Sequence, residues 1–214
     1  LFPLAWQATP TLAVGATLDF MWSGLDMRMA ASGAQLGGLV TGASGNLAAA
    51  LPALGGAPWA RVDFSNHNDF TGAAKSTGWG AKLGVVYKPA QAWTLGASYR
   101  FKSALSDMKT TASGASLSAT GGFADSGRMT VVDFQFPAMT ALGASWQVTP
   151  ELLLAADYKR IAWAAVMKDF RLRYDSAGMG GSVSFALPQN WKNQSVVNLG
   201  LACAVNSQLT LRGG

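Results

Sequence analysis

From Trp79 to Tyr87 every second residue is apolar (Trp79, Ala81, Leu83, Val85, Tyr87), and Gly80, Lys82, Gly84 and Val86 fall between them. After Lys88-Pro89-Ala90-Gln91 the alternation resumes, with Trp93, Leu95, Ala97, Tyr99 and Phe101 against Thr94, Gly96, Ser98, Arg100 and Lys102. A period of two belongs to extended chain with one apolar face and one small or polar face. The tight proline-containing break makes the two runs a hairpin. The pattern recurs over residues 12–22, 132–148, 152–159 and 197–205, and shorter pieces at 1–6 and 208–212 bring the predicted strand segments to eight. Pro137 falls inside the 132–148 run, where it cannot donate to a ladder and predicts a bulge or kink.

Half of the 214 residues are hydrophobic and 13% are charged, yet no run of about 18 uninterrupted apolar residues exists to form a helical span. An apolar composition delivered only as alternation is what a transmembrane β-barrel requires, because lipid-facing and lumen-facing residues alternate along each tilted strand. The spacing of the breaks agrees. Four are short, at Gln7-Ala8-Thr9-Pro10, Lys88-Pro89-Ala90-Gln91, Val148-Thr149-Pro150-Glu151 and Val205-Asn206-Ser207-Gln208. Three connections are long, over residues 30–77, 106–127 and 172–194. Short turns at one end and long extracellular loops at the other are characteristic of outer-membrane barrels. Trp6, Trp93 and Trp146 lie near short turns, whereas Trp22, Trp79, Phe101, Phe134 and Tyr158 lie toward the long connections. The eight residues from Trp93 to Phe101, at about 3.3 Å each and a tilt of about 45°, rise about 19 Å, which suits two aromatic girdles. A soluble sandwich would also alternate, but it does not require that asymmetry of connections.

The net charge of +5 comes from dispersed basic residues rather than a stripe, so nucleic acid is not an expected partner. Cys203 is the only cysteine and permits no internal disulfide. The chain opens and closes within strand-like sequence without a leader, and reads as a piece of a longer exported protein. No metal-ligand spacing or phosphate-binding glycine loop is present, and no cofactor is implied. The only histidine, His67, has Ser65 and Asp69 as sequence neighbours, but residues adjacent on one loop do not make a triad, and an enzyme is not expected.

The runs GWGAKLGVVYKPAQAWTLGASYRFKSAL and FQFPAMTALGASWQVTPELLLAADYKRIAW, with the opening TLAVGATLDFMWSGLDMRM followed by GAQLGGLVTG, resemble the FadL family of outer-membrane transporters for long-chain fatty acids and other hydrophobic compounds. The resemblance spans nearly the whole chain, in family order. It implies an all-β, antiparallel, monomeric barrel of fourteen strands, plugged by an N-terminal hatch, with substrate captured between extracellular loops and released through a lateral opening at a kinked strand. Residues 1–214 would then form a partial barrel of about eight strands, with short helices in the 30–77 loop; the hatch, early strands and last strands lie outside it. The expected function is passive uptake of a hydrophobic substrate, foremost a long-chain fatty acid, with alkanes and aromatic hydrocarbons as family alternatives. Outer-membrane lipid and lipopolysaccharide would surround the barrel.

Leu36, Leu39, Val40, Leu47, Leu51 and Leu54 recur mostly at three- and four-residue steps, as in short amphipathic helices. By resemblance they form one wall of the capture groove, and Met108, Leu117, Phe123 and Met129 are candidates for the other. Packing of the loops on each other is an equally open explanation. A fatty acid brings a carboxylate that needs a cation when desolvated, for which Arg28 is the first candidate and Arg100 and Lys102 the next. Wall ion pairs compete with that role, since Asp19, Asp133 and Asp157 are available to Lys82, Arg100, Lys102 and Lys159. Two other classes stay open: an autonomous eight-stranded barrel with a structural or adhesive role, which the many inward glycines would underfill, and a barrel enzyme acting on lipids.

Overall fold

The computed structural model describes residues 1–68 and 70–214. Its first strands are β1 (Phe2–Thr9), β2 (Leu12–Leu25) and β3 (Met27–Ala31), followed by helix α1 (Gly33–Gly37), β4 (Val40–Ser44), helix α2 (Gly45–Gly55) and β5 (Ala60–Phe64). Then come β6 (Ala74–Ala90), β7 (Trp93–Arg100), β8 (Ala104–Leu105), β9 (Met108–Lys109), β10 (Ala115–Ala119), β11 (Phe123–Val132) and β12 (Met139–Gln147). The chain finishes with β13 (Leu152–Ile161), a 3-10 turn at Trp163–Ala165, β14 (Asp169–Ser176), β15 (Ser182–Pro188), β16 (Gln194–Ala204) and β17 (Thr210–Gly213).

Eight strands form one antiparallel wall in the order β1–β2–β6–β7–β12–β13–β16–β17. Seven of them match segments predicted from alternation, and β12 covers the second half of the predicted 132–148 segment. The wall is a partial, unclosed barrel: among the described residues no ladder joins β1 to β17. One face presents large apolar side chains without any protein cover, Leu142 at 51% exposure and Leu199 at 68%. Only lipid makes such a surface stable. At the short-turn end Trp93 and Trp146 are register partners, stacked 5.2 Å apart; toward the other end Phe20 packs edge-on to Trp79 at 5.3 Å and Tyr99 to Phe101 at 4.9 Å. Such pairs each add about 0.5–1.5 kcal/mol beyond area burial.

The long connections carry structure of their own. Seven strands build an upper sheet in the order β3–β5–β10–β11–β14–β15–β4, and the short β8 and β9 pair with β6, β9 also with β11, tying the two sheets together. The inner face of this sheet is apolar: Val62, Phe64, Leu117, Met129, Val131, Leu172, Tyr174, Val183 and Phe185 are buried, together with Leu47 of α2. β6 crosses both regimes. Its residues Ala74, Ser76 and Gly78 are buried under the upper core, whereas farther down the inward-facing Lys82 and Val86 are exposed to the lumen.

The expected single strand over 132–148 is corrected. β11 ends at Val132 and β12 begins at Met139, so Pro137 sits in a six-residue interruption rather than a bulge, and Asp133 has φ +52°. Phe134, expected to face lipid, turns into the upper core and packs edge-on to Phe170. β7 stops at Arg100 and β13 at Ile161, so three neighbouring wall strands break near one level. Gln135 seals the break. It accepts from Ser103 Oγ at 2.8 Å and from the Leu105 N–H at 2.9 Å, and donates to the Leu105 carbonyl at 2.9 Å.

Candidate functional site

The two helices of residues 30–77 define the site. Ser32 caps α1 in a reciprocal box with Gln35, satisfying amide groups that a helix start leaves free. Gly33 is the point of contact with α2: its N–H donates to the Ala57 carbonyl at 2.9 Å, and a Cβ there would lie 1.8 Å from the Leu54 carbonyl oxygen. Only glycine allows this approach. α2 is anchored from below, where Leu47 is fully buried and donates its N–H to Gly180 at 3.1 Å, and where Asn46 Nδ2 donates to the Met179 carbonyl at 2.8 Å. Pro52 inside α2 has no N–H to give to Ala48.

Between the helices and the upper sheet lies a cleft of about 440 Å³. Leu36 and Gly37 of α1 and Ala48, Leu51, Pro52 and Leu54 of α2 form its sides; Val40, Ala60, Leu117 and Phe185, one from each of four strands, form its floor. That size is ordinary for a small-molecule site. No charged side chain lines it.

The structure brings Leu36, Val40, Leu51, Leu54 and Leu117 together in this cleft. Leu39 and Phe123 pack beside it, against both buried clusters. Leu47, Met108 and Met129 do not line it; they are 0–2% exposed in the upper core. Pro52 and Phe185 escaped the sequence reading. Alternation over residues 182–187 is the signal that could have placed Phe185 on an inner face.

None of the three candidate cations reaches the cleft. Arg28 stands 3.5 Å from Asp63, which also holds Arg61, and donates to Ser65 Oγ at 3.4 Å. Arg100 is opposite Lys82 in the lumen wall, and Lys102 lines a separate polar pocket beside Asp133 and Arg171. The wall ion pairs offered by the sequence are corrected as well: Asp133 pairs with Arg171 at 3.0 Å, while Asp19 and Asp157 make none among the described residues, and Asp19 Oδ1 is buried without a partner. His67 is exposed, its N–H donating to Ser65 Oγ at 3.3 Å; Asp69 lies outside the described residues. No helix among the described residues is long and apolar enough to cross a membrane.

An antiparallel wall with a bare apolar belt and two aromatic girdles defines an outer-membrane β-barrel protein. The family described as outer membrane protein transport protein (OMPP1/FadL/TodX) matches residues 2–214, and the chain belongs to it. This is a family of transport proteins rather than enzymes, located in the Gram-negative outer membrane.

Among solved structures, the chain is similar to the Pseudomonas putida toluene transporter TodX, with 33% identity and a TM-score of 0.80 over 98% of this chain and 51% of that one. The Ralstonia pickettii toluene transporter TbuX is 31% identical, with a TM-score of 0.80 over 99% and 52%. A Pseudomonas aeruginosa FadL homologue, 18% identical with a TM-score of 0.66 over 98% and 46%, shares the fold. The chain thus spans about half the length of these relatives. Comparison with curated proteins yields no match.

Proposed function

We propose that the complete protein admits small neutral hydrocarbons, monoaromatic ones above all, passively through the outer membrane, and that the α1–α2 cleft is where they first bind. The observation that carries this reading is the cleft lining, whose side chains are all apolar and include no cation. A carboxylate entering it would lose its hydration without a compensating partner, at a cost of several kcal/mol. An aromatic ring would lose nothing of the kind, and enclosed apolar cavities of about 150 Å³ are known to accept benzene. The similarity to two toluene transporters, at 33% and 31% identity, supports the same substrate class. Uptake then needs no energy source, because each transfer is from water to apolar surface.

The test is entry of labelled toluene and labelled oleate into cells whose only hydrophobic-uptake protein is the full-length chain. Leu51→Asn and Leu117→Asn place an amide in the cleft that finds no partner, and each should lower toluene entry by about tenfold. If oleate enters efficiently and both variants leave toluene entry unchanged, the neutral-hydrocarbon reading is wrong and the fatty-acid reading replaces it.

A further inference from the structure

The outer face of the upper sheet carries cations in a fixed transverse row. Lys75 of β6 is the register partner of Lys109 of β9, Lys109 of Thr130 on β11, and Thr130 of Arg173 on β14. Lys75, Lys109 and Arg173 are exposed on the face away from the core, because their neighbours Ser76, Met108, Leu172 and Tyr174 are buried on the opposite side, while Thr130 between them is covered, at 7% exposure. Directly opposed like charges destabilise a ladder unless something anionic sits between them. Arg173 is answered by Asp175 at 2.9 Å, but Lys75 and Lys109 have no ion-pair partner among the described residues.

Two residues along β14 from Arg173, on the same face, Arg171 borders a pocket of about 250 Å³ that Lys102 and Lys168 also line. Its carboxylates are Asp133, already paired with Arg171 at 3.0 Å, and Asp169. Row and pocket therefore form one cationic band. Its height follows from β6, on which Trp79 of the aromatic belt lies two side-chain steps below Lys75 on the same face. Aromatic girdles mark the membrane–water interface, and long connections face the cell exterior. The band thus meets the headgroup layer of the outer leaflet.

We infer that Lys75, Lys109 and Arg173, continued by Lys102, Lys168 and Arg171, bind the phosphate groups of lipopolysaccharide. Phosphate oxygens accept charge-assisted hydrogen bonds from lysine and arginine, and a headgroup with more than one phosphate can bridge the row and the pocket. Basic clusters at this height attract anionic lipid, each cation contributing independently near the surface. The lipid would also relieve the Lys75–Lys109 repulsion, so it should fix β9 against β6.

The full-length protein in detergent is incubated with diphosphorylated rough lipopolysaccharide, with the same glycolipid stripped of phosphate, or with inorganic phosphate. Lipid retained through size exclusion is then quantified by mass spectrometry. The native chain should retain the phosphorylated lipid and not the stripped one. The triple substitution Lys75→Gln, Lys109→Gln, Arg173→Gln should weaken retention roughly a hundredfold, whereas Arg61→Gln, which removes a cation of the same sheet outside the row, should not. Equal retention of the stripped lipid, or full retention by the triple variant, overturns the assignment. Displacement of the lipid by inorganic phosphate at matched phosphate concentration overturns the lipid as the ligand. Toluene entry through the triple variant reports its folding, and it separates failure of this surface from failure of the cleft.

Discussion

Tyr174 and Asp125 form a polar pair on the inner face of the upper sheet: the phenol, 1% exposed, donates to Asp125 Oδ2 at 2.9 Å. Gly127 and Gly178 make room for it, since a Cβ at Gly127 would lie 2.8 Å from the tyrosine ring and one at Gly178 would lie 2.9 Å from Asp125 Oδ1. Burial first, and then the hydrogen bond and charge of Asp125, push the phenol well above the ordinary tyrosine range. The raised value means that the folded state holds the proton more tightly than the unfolded chain. The resulting stability is fully present below the ordinary value of about 10 and falls as pH rises through the alkaline range. In an alkaline absorbance titration of the folded protein, Tyr174→Phe should therefore remove no phenolate signal near pH ~10, yet it should lower stability by about 1–3 kcal/mol because Asp125 loses a buried donor. A phenolate amplitude lost with Tyr174 in the folded state would contradict this. Neither the pair nor its glycines was legible in the sequence, because residues 49 positions apart meet only through the β11–β14 ladder.

At the scale of elements, alternation read the wall strands well because lipid on one side and lumen on the other impose a period of two on each strand. The helices α1 and α2 were legible from their apolar spacing. The interruption at residues 133–138 was not. Proline signals that a ladder is broken, but the number of residues released depends on what satisfies the backbone there, and that is Gln135 on Ser103 and Leu105. Gln135→Leu removes three hydrogen bonds, to the Ser103 hydroxyl and to the Leu105 N–H and carbonyl, and should lower stability by roughly 3 kcal/mol in denaturant unfolding of the full-length protein. Gln135→Glu keeps both acceptor interactions but turns a carboxylate oxygen toward the Leu105 carbonyl and Asp133 Oδ1, so it should recover little of that loss. A Gln135→Leu protein that unfolds at the native denaturant concentration would mean that the side chain is not what closes the break.

For the molecule as a whole, the wall and the upper sheet bury opposite things: the wall turns its large side chains to lipid, the upper sheet turns its own inward. Leu142, partnered in register with Ala97 and Tyr158 on the lipid-facing side, should tolerate charge poorly. Leu142→Arg is expected to cost about 2–4 kcal/mol, with the lumen-facing Ser145→Arg nearly silent. Folding yield into vesicles with increasing denaturant would compare them, and equal losses would mean that the two faces are not lipid and lumen.

Period, break length and aromatic position were enough to read an eight-strand outer-membrane wall from the chain alone, because those signals are local and the bilayer acts on every strand alike. Leu36, Val40, Leu51, Leu54 and Leu117 were recognisable as apolar, but their meeting with Phe185 and Pro52 in an uncharged cleft, away from Arg28, Arg100 and Lys102, is a property of the folded molecule. So is the alignment of Lys75, Lys109 and Arg173. Both depend on strand pairings distant in sequence, whose register follows from packing of the upper core and leaves no periodic trace in any one segment.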